Sequence, residues 1–379
     1  MDFEYDDEQQ ALRDAVKALL GKAYGDFEKR REVTKGSGYS PDTWRQLAEM
    51  GVLGLPFPEA DGGMGAGPVE VGIVAEELGR VLAPEPYLSA VVLAGGAVAA
   101  AGSDEQRAAL LGPLVSGESL LAWAHTEPGG GYGASARGVR ASQEGDSWTL
   151  TGVKEPVVYG EQADVLVVTA ALPHGGVGLF AVASEASGLS RHGYPTHDGG
   201  RAASVRLDAT PAEALGEGGD ATAALEQVLD RGRVAAASEA LGLISEALSS
   251  TRDYLTSRKQ FGVTLNTFQA LNFRAADMYV DLELTRSLVL WATMVAADGS
   301  ATEASTAASR ASLQVATAGR RVGQEAIQLH GGIGVTAEYS VGHRLSRLEA
   351  LLSVVGDERF HLARLAGGIA AYGEVDPLP

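Results

Sequence analysis

The sequence predicts an α+β protein built as helices, then strands, then helices. Three observations carry this prediction. Alanine-rich stretches with apolar residues at spacings of three, four and seven occupy both ends of the chain. Short β-branched runs crowd the middle, and the texture changes near residues 121 and 220. The expected organisation is a helical domain over 1–120, a β domain over 121–219 and a second helical domain over 220–379.

Leu12, Val16, Leu19 and Leu20 place a helix over residues 7–24, and Ser40-Pro41-Asp42 announces another through an N-cap followed by proline at the first helical position. Trp44, Leu47 and Val52 follow it inward. Leu55 to Pro58 and Gly62 to Gly65 read as loop, after which Val69–Leu82 and Leu88–Ala101 read as helices. In the middle, Trp148 and Leu150 alternate with polar neighbours, and Val165–Val168 and Val177–Val182 are buried-strand runs. Beyond residue 220, Leu241, Ile244, Leu248 and Leu255 stripe one long helix, and Leu271, Ala275, Met278 and Leu282 a second. The glycine- and proline-containing tail from Gly367 reads as a frayed end.

Composition excludes several functions. The 379 residues carry 49 acidic and 30 basic side chains, a formal charge of −19 that repels nucleic acid and anionic membranes. No cysteine is present, which removes disulfides, zinc-thiolate sites and thiol nucleophiles together. The start MDFEYDDEQQ reads as neither signal nor transit peptide, and no apolar run approaches the roughly 20 residues of a membrane span. A cytoplasmic protein is expected. The seven histidines show no metal spacing, so no metal is expected, and they read as solvated or secondary to a site. Ser135 and Ser238 lack a GxSxG elbow.

Three motifs remain, each with a structural reading beside the functional one. Arg258-Lys259-Gln260-Phe261-Gly262 closes a long helix, where cations suit the negative helix end and glycine suits a left-handed cap; Arg258 could equally reach a diphosphate. Gln328-Leu329-His330-Gly331-Gly332-Ile333-Gly334 either ends a helix or lets backbone amides approach a ligand, and its context is not that of a Rossmann turn. Thr126-Glu127-Pro128-Gly129-Gly130-Gly131 lies where helix gives way to strand, and such a turn needs no function.

In combination and in this order, the motifs resemble the acyl-CoA dehydrogenase family from Phe3 to about Leu365. The resemblance implies a β-barrel or sandwich in the middle, a four-helix bundle at the C-terminus and FAD as cofactor. It implies that Thr126 contacts the flavin, with Ala124 and His125 as neighbouring wall positions. Arg258, Gln260, Phe261 and Gln269 are implied to cover the FAD of an adjacent subunit, with Gln328, Gly331 and Gly332 contacting that same FAD. Asp230 and Arg233 match the D-x-x-R that lines the acyl-CoA cleft.

Family chemistry is α,β-dehydrogenation: a carboxylate removes the α-proton of an acyl thioester while the β-hydrogen leaves as hydride to flavin. Both positions where the family places that carboxylate are apolar here, Val355 in Val354-Val355-Gly356-Asp357 and Gly232 before the helix arginine. Asp357 is the remaining candidate base, or else a helix N-cap. The flavin-flanking K-x-W-x-T segment is Lys154-Glu155-Pro156-Val157-Val158, and Tyr132 replaces the serine of the TEP-G loop. The pattern resembles the base-lacking subunit of actinobacterial α2β2 enzymes of steroid side-chain or related acyl-CoA oxidation. The expected partners are an acyl-CoA or acyl-carrier thioester, an electron-transfer flavoprotein or similar acceptor, and a homologous subunit in a tetramer. The alternatives are a homo-oligomeric dehydrogenase or oxidase using Asp357, and a flavin-free acyl-CoA-binding or scaffolding subunit.

Overall fold

The computed structural model describes residues 5–373, so Phe3, where the resemblance begins, and residues 374–379 of the tail lie outside it. Helix α1 (Asp7–Tyr24) opens on a capping box between Asp6 and Gln9 and buries Val16, Leu20 and Tyr24. Helix α2 (Phe27–Lys35) has no apolar stripe, because its buried side chain is Arg30; periodicity therefore does not predict it. Helix α3 (Pro41–Glu49) starts as Ser40-Pro41 predicts, with Ser40 Oγ accepting from Thr43 N at 3.2 Å. Helix α4 (Pro68–Arg80) follows. The stretch predicted as one helix over Leu88–Ala101 is instead a π-helix, Tyr87–Gly95, continued by α5 (Gly96–Ala101). Helix α6 (Asp104–Val115) completes the first helical unit.

Seven strands follow: β1 (Leu121–Ala124), β2 (Arg140–Glu144), β3 (Ser147–Val158), β4 (Val165–Ala171), β5 (Val177–Ala183), β6 (Leu189–Pro195) and β7 (Arg201–Ala214). The order β4-β2-β3-β7-β5 closes on itself through β4–β5 pairing, with β1 added parallel to β4 and β6 antiparallel to β7. The result is a barrel. Leu150, Val157, Leu166, Val168, Phe180, Val205 and Leu207 fill it, as period-two alternation requires.

The chain then forms α7 (Thr222–Ser257), a short hairpin of β8 (Lys259–Gln260) and β9 (Val263–Thr264), and helices α8 (Gln269–Asp298), α9 (Ala301–His330), α10 (Ser340–Val355) and α11 (Glu358–Gly367). A 3-10 turn, Ile369–Tyr372, continues where the composition predicts a frayed end. Helix α7 docks on α4 at a reciprocal glycine contact: a Cβ on Gly79 would lie 2.0 Å from Glu239 O, and one on Gly242 2.0 Å from Glu76 O. Only glycine permits so close a crossing. Among the described residues, no helix is long and apolar enough to cross a membrane.

Candidate active site

The first cluster gathers around Arg233, which is 2% exposed. Its NH1 pairs with Asp230 Oδ1 at 2.7 Å, its Nε donates to Val355 O at 3.1 Å, and its NH2 donates to Tyr132 O at 2.7 Å. One guanidinium thus joins α7, the end of α10 and the loop that starts at Thr126. Arg364 closes the other side, reaching Asp230 Oδ1 at 2.7 Å and Oδ2 at 3.1 Å. Phe360 lies under Arg233, 5.1 Å from the guanidinium carbon, and packs edge-on against Tyr132 at 5.6 Å. The structure brings Asp230, Arg233, Tyr132, Val355 and Asp357 into one place.

That place holds no carboxylate at either expected base position. Val355 is buried, and Gly232 is packed so tightly that an added Cβ would stand 2.4 Å from Leu93 Cδ2. Asp357 sits at the N-cap of α11, where its Oδ1 accepts from Phe360 N at 2.8 Å. One oxygen of its carboxylate thus caps the helix.

Thr126 is half-buried just beyond β1, so the TEP-G segment follows a strand instead of marking a direct helix-to-strand change. Its carbonyl accepts from Glu155 N at 2.9 Å, tying it to the Lys154–Val158 stretch of β3. The adjacent Glu127 anchors the loop: it accepts from Arg137 N, Gly138 N and Val139 N at 2.7–3.0 Å and pairs with Lys154 Nζ at 2.8 Å. Lys154 is fully buried and also donates to His125 O and Thr169 Oγ1. Burial alone would raise the Glu127 pKa, but Lys154 and the amides outweigh it and bring it to about 2. Burial draws Lys154 down to about 8 against the pull of Glu127, so it remains an ammonium at neutral pH. Burial, and then Lys154, push His125 down to about 3, leaving a neutral imidazole whose Nδ1 meets Thr169 Oγ1 at 3.1 Å.

The second group lies at the far end of α7. Helix α7 stops at Ser257, and Arg258 leaves in extended conformation. Gly262 therefore does not cap the helix, as the motif alone suggested; Phe261 and Gly262, with φ of 54° and 83°, form the two-residue turn of the β8–β9 hairpin. Phe261 is 90% exposed, and Arg258, Gln260 and Gln269 are also exposed. Gln328, Gly331 and Gly332 join this group because His330 stacks on Tyr254, ring centroids 4.5 Å apart, and so holds the end of α9 against the last turn of α7. His330 and His361 are 2% and 0% exposed, so of the two expected readings, solvated or secondary to a site, the first does not hold for them. Burial lowers the pKa of both, His361 to about 4 with help from Arg233 and Arg364, because each packs between helices.

This second group fits FAD on donor chemistry. Among the described residues, the side chains of Arg258, Gln260, Gln269 and Gln328 have no hydrogen-bond partner, and a Cβ on Gly331 or Gly332 would meet open space. A guanidinium and carboxamides left free beside bare backbone suit a diphosphate and an adenosine.

A cavity of about 500 Å³ runs between the β domain and the helices, lined by Pro156 and Val158 from β3, Glu85 and Leu88 from the N-terminal helices, and Ala350 and Val354 from α10. Arg347 lies on its wall, paired with Glu239 at 2.7 Å and Asp198 at 3.0 Å. Burial disfavours the Arg347 charge, but the two carboxylates more than compensate and raise its pKa. Glu85 is 4% exposed, and burial pushes it up to about 7, moderated by its hydrogen bond with Tyr24. A carboxyl whose folded pKa lies above its unfolded value of 4.5 favours folding fully below that pH and loses the contribution as pH rises through about 7. Glu85→Gln is therefore expected to flatten this decline, gaining about 3 kcal/mol at most relative to the parent at pH 8 and nothing at pH 4. Urea midpoints across that range check it.

A helical–barrel–helical chain with an FAD-suited rim and a buried D-x-x-R belongs to the flavin-dependent thioester oxidoreductases. The family models for the acyl-CoA dehydrogenase N-terminal and C-terminal domains match residues 6–118 and 221–369, and the chain is a member of the acyl-CoA dehydrogenase family. It is similar to the probable acyl-CoA dehydrogenase YngJ of Bacillus subtilis, 30% identical, covering 96% of this chain and 98% of the relative. Among solved structures it is similar to the Tcur3481-Tcur3483 steroid ACAD, solved as a variant, at TM-score 0.88 and 36% identity, covering 96% and 98% of the two chains. It also matches the ChsE4-ChsE5 complex from Mycobacterium tuberculosis, at TM-score 0.88 and 29% identity, covering 98% and 99%. The family activity is FAD-dependent oxidation of CH–CH groups in acyl thioesters.

Sequence reasoning did not find Glu85, Arg364 or the Lys154–Glu127 pair. Lys154 was detectable in principle, since it shares the inward parity of Leu150 on β3. Glu85 and Arg364 carry no such signal, because what marks each is a partner distant in sequence.

Proposed function

We propose that this chain is one subunit of a heteromeric FAD-dependent acyl-CoA dehydrogenase in which a homologous partner supplies the catalytic carboxylate. The observation that carries the reading is a contrast within one chain: the FAD-suited rim is exposed and free of partners, whereas both base positions are apolar and packed. Bound FAD would supply hydride acceptance from the substrate β-carbon. This chain's Arg258, Gln260, Phe261 and Gln269, with Gln328, Gly331 and Gly332, reach the diphosphate and adenosine of a flavin shared with the neighbouring subunit. Thr126 borders the flavin ring, and Asp230 and Arg233 hold the thioester cleft in shape through Tyr132 and Val355.

A stripe of exposed apolar side chains on α8, Phe273, Val280 and Leu284, supports assembly with another subunit. Similarity to the ChsE4-ChsE5 complex and to the Tcur3481-Tcur3483 steroid ACAD supports a heteromer and an acyl group with a steroid-like bulk. The reading includes an electron-transfer flavoprotein or similar acceptor and a cytoplasmic setting.

Coexpression with a base-bearing homologue from the same host tests it. The complex is expected to purify yellow, and Arg258→Ala in this chain is expected to weaken FAD retention about tenfold or more, through loss of a charge-assisted contact. Colourless protein both alone and in complex would favour a flavin-free scaffold.

A further inference from the structure

The buried network inside the barrel fixes where the ring proton of His125 sits. Lys154 is a donor-only ammonium, and its protons are taken by His125 O at 3.0 Å, Glu127 Oε1 at 2.8 Å and Thr169 Oγ1 at 2.9 Å. Thr169 Oγ1 therefore accepts from Lys154. Its own hydroxyl proton goes to the other group it meets, His125 Nδ1 at 3.1 Å. A proton on Nδ1 would instead strand that hydroxyl, because Thr169 is fully buried. Nδ1 is thus the acceptor, and the neutral imidazole carries its proton on Nε2.

Nε2 is shielded from solvent, so the donor it forms serves the protein and not a ligand. It meets no acceptor in full hydrogen-bond geometry, and Trp123 stacks on the ring with centroids 5.6 Å apart. Burial and then Lys154 keep the ring neutral; against them the backbone of Gly133 favours a proton on it, as a carbonyl does. Gly133 O already accepts from Ser135 N at 2.8 Å and has a second lone pair to offer. One residue earlier, Tyr132 O accepts from Arg233 NH2 at 2.7 Å. Between Glu127 and these two carbonyls run Gly129 to Gly131, exposed and without side chains to hold the loop in shape.

We propose that His125 is a positioning residue whose Nε2–H holds the Gly133 carbonyl, so that the loop presents Tyr132 O to Arg233 and the thioester cleft keeps its shape. This rests on the acyl-thioester reading above. The loop is gripped from two sides, by the barrel through Lys154, Thr169 and His125, and by α7 through Arg233. The ring acts through the loop, without touching substrate.

The test uses the flavin-loaded complex with this chain alone carrying 15N-histidine, and reads the His125 ring by magic-angle-spinning NMR, assigned by its loss in His125→Gln. A protonated Nε2 and a bare Nδ1 are expected; a protonated Nδ1 overturns the inference. Turnover of the better substrate of dodecanoyl-CoA and a steroid acyl-CoA then compares the parent with His125→Phe and with His125→Gln, whose carboxamide keeps a donor near the place of Nε2. His125→Phe is expected to raise KM about tenfold, with kcat within about twofold and flavin content unchanged, and His125→Gln to restore most of the loss. An unchanged KM in His125→Phe, or an equal rise in His125→Gln, overturns the inference. His125→Asn, too short to reach Gly133, takes the place of His125→Phe where the latter does not fold. A parent complex that turns over neither thioester sinks the functional reading, while the protonation of the ring, read directly, still decides the hydrogen-bond relay.

Discussion

Lys154→Ala is expected to destabilise the protein by about 3–5 kcal/mol, because it leaves Glu127 charged and buried without its counter-ion. The pair is central to how the barrel carries its loop. Glu127 satisfies three consecutive amides, Arg137 to Val139, while Lys154 ties Glu127 to His125 O and Thr169 from inside the barrel. Glu127→Ala should cost a similar amount, with Lys154 then buried as a lone cation. The double variant Glu127→Gln, Lys154→Met is expected to lose less than the sum of the single changes, since neither charge is stranded. Denaturant midpoints for the four proteins check this, and additive losses would show that the two groups do not act as a pair. The loop held here starts at Thr126 and reaches Tyr132, so the single variants should also loosen flavin binding in the assembled complex.

The second large effect concerns turnover. Purified alone, the chain is expected to oxidise acyl-CoA about 10²–10⁴-fold more slowly than its complex with a base-bearing homologue, the range that a positioned general base contributes. The physical reason is local. Val355 and Gly232 offer no proton acceptor, and a side chain at position 232 would have to displace the Leu93 methyl. Steady-state reduction of an artificial electron acceptor, normalised to flavin, measures the ratio.

Much of this architecture was legible in the sequence, and the exceptions have common physical causes. Helices α1, α3, α7 and α8 announce themselves through caps or apolar stripes, because their stability comes from burying one face. Helix α2 does not, since its inward residue is Arg30, whose guanidinium finds Leu82 O and Asp198 O only after distant segments meet. The π-helix Tyr87–Gly95 reads as helix but not as π-helix, because it is buried on every side and no apolar face marks its period. The RKQFG motif displayed its residues but not its geometry: Gly262 suits a helix cap and a hairpin turn equally, and the β8–β9 pairing decides for the turn. The candidate site divides in the same way. The residues proposed for FAD belong to motifs that the sequence displays, whereas Glu85 and Arg364 acquire meaning from contacts with Tyr24 and Asp230 that no local pattern encodes. His330 was placed within a motif, but its stacking on Tyr254 is a tertiary fact.

The central claim is that the catalytic carboxylate comes from outside this chain, and turnover per flavin of the complex carrying Asp357→Ala in this chain tests it most directly. The account predicts turnover within about twofold of the parent, with some loss of stability, about 1 kcal/mol, from removal of the α11 cap. Turnover that falls to background while flavin content and assembly are retained would contradict it and make Asp357 the base.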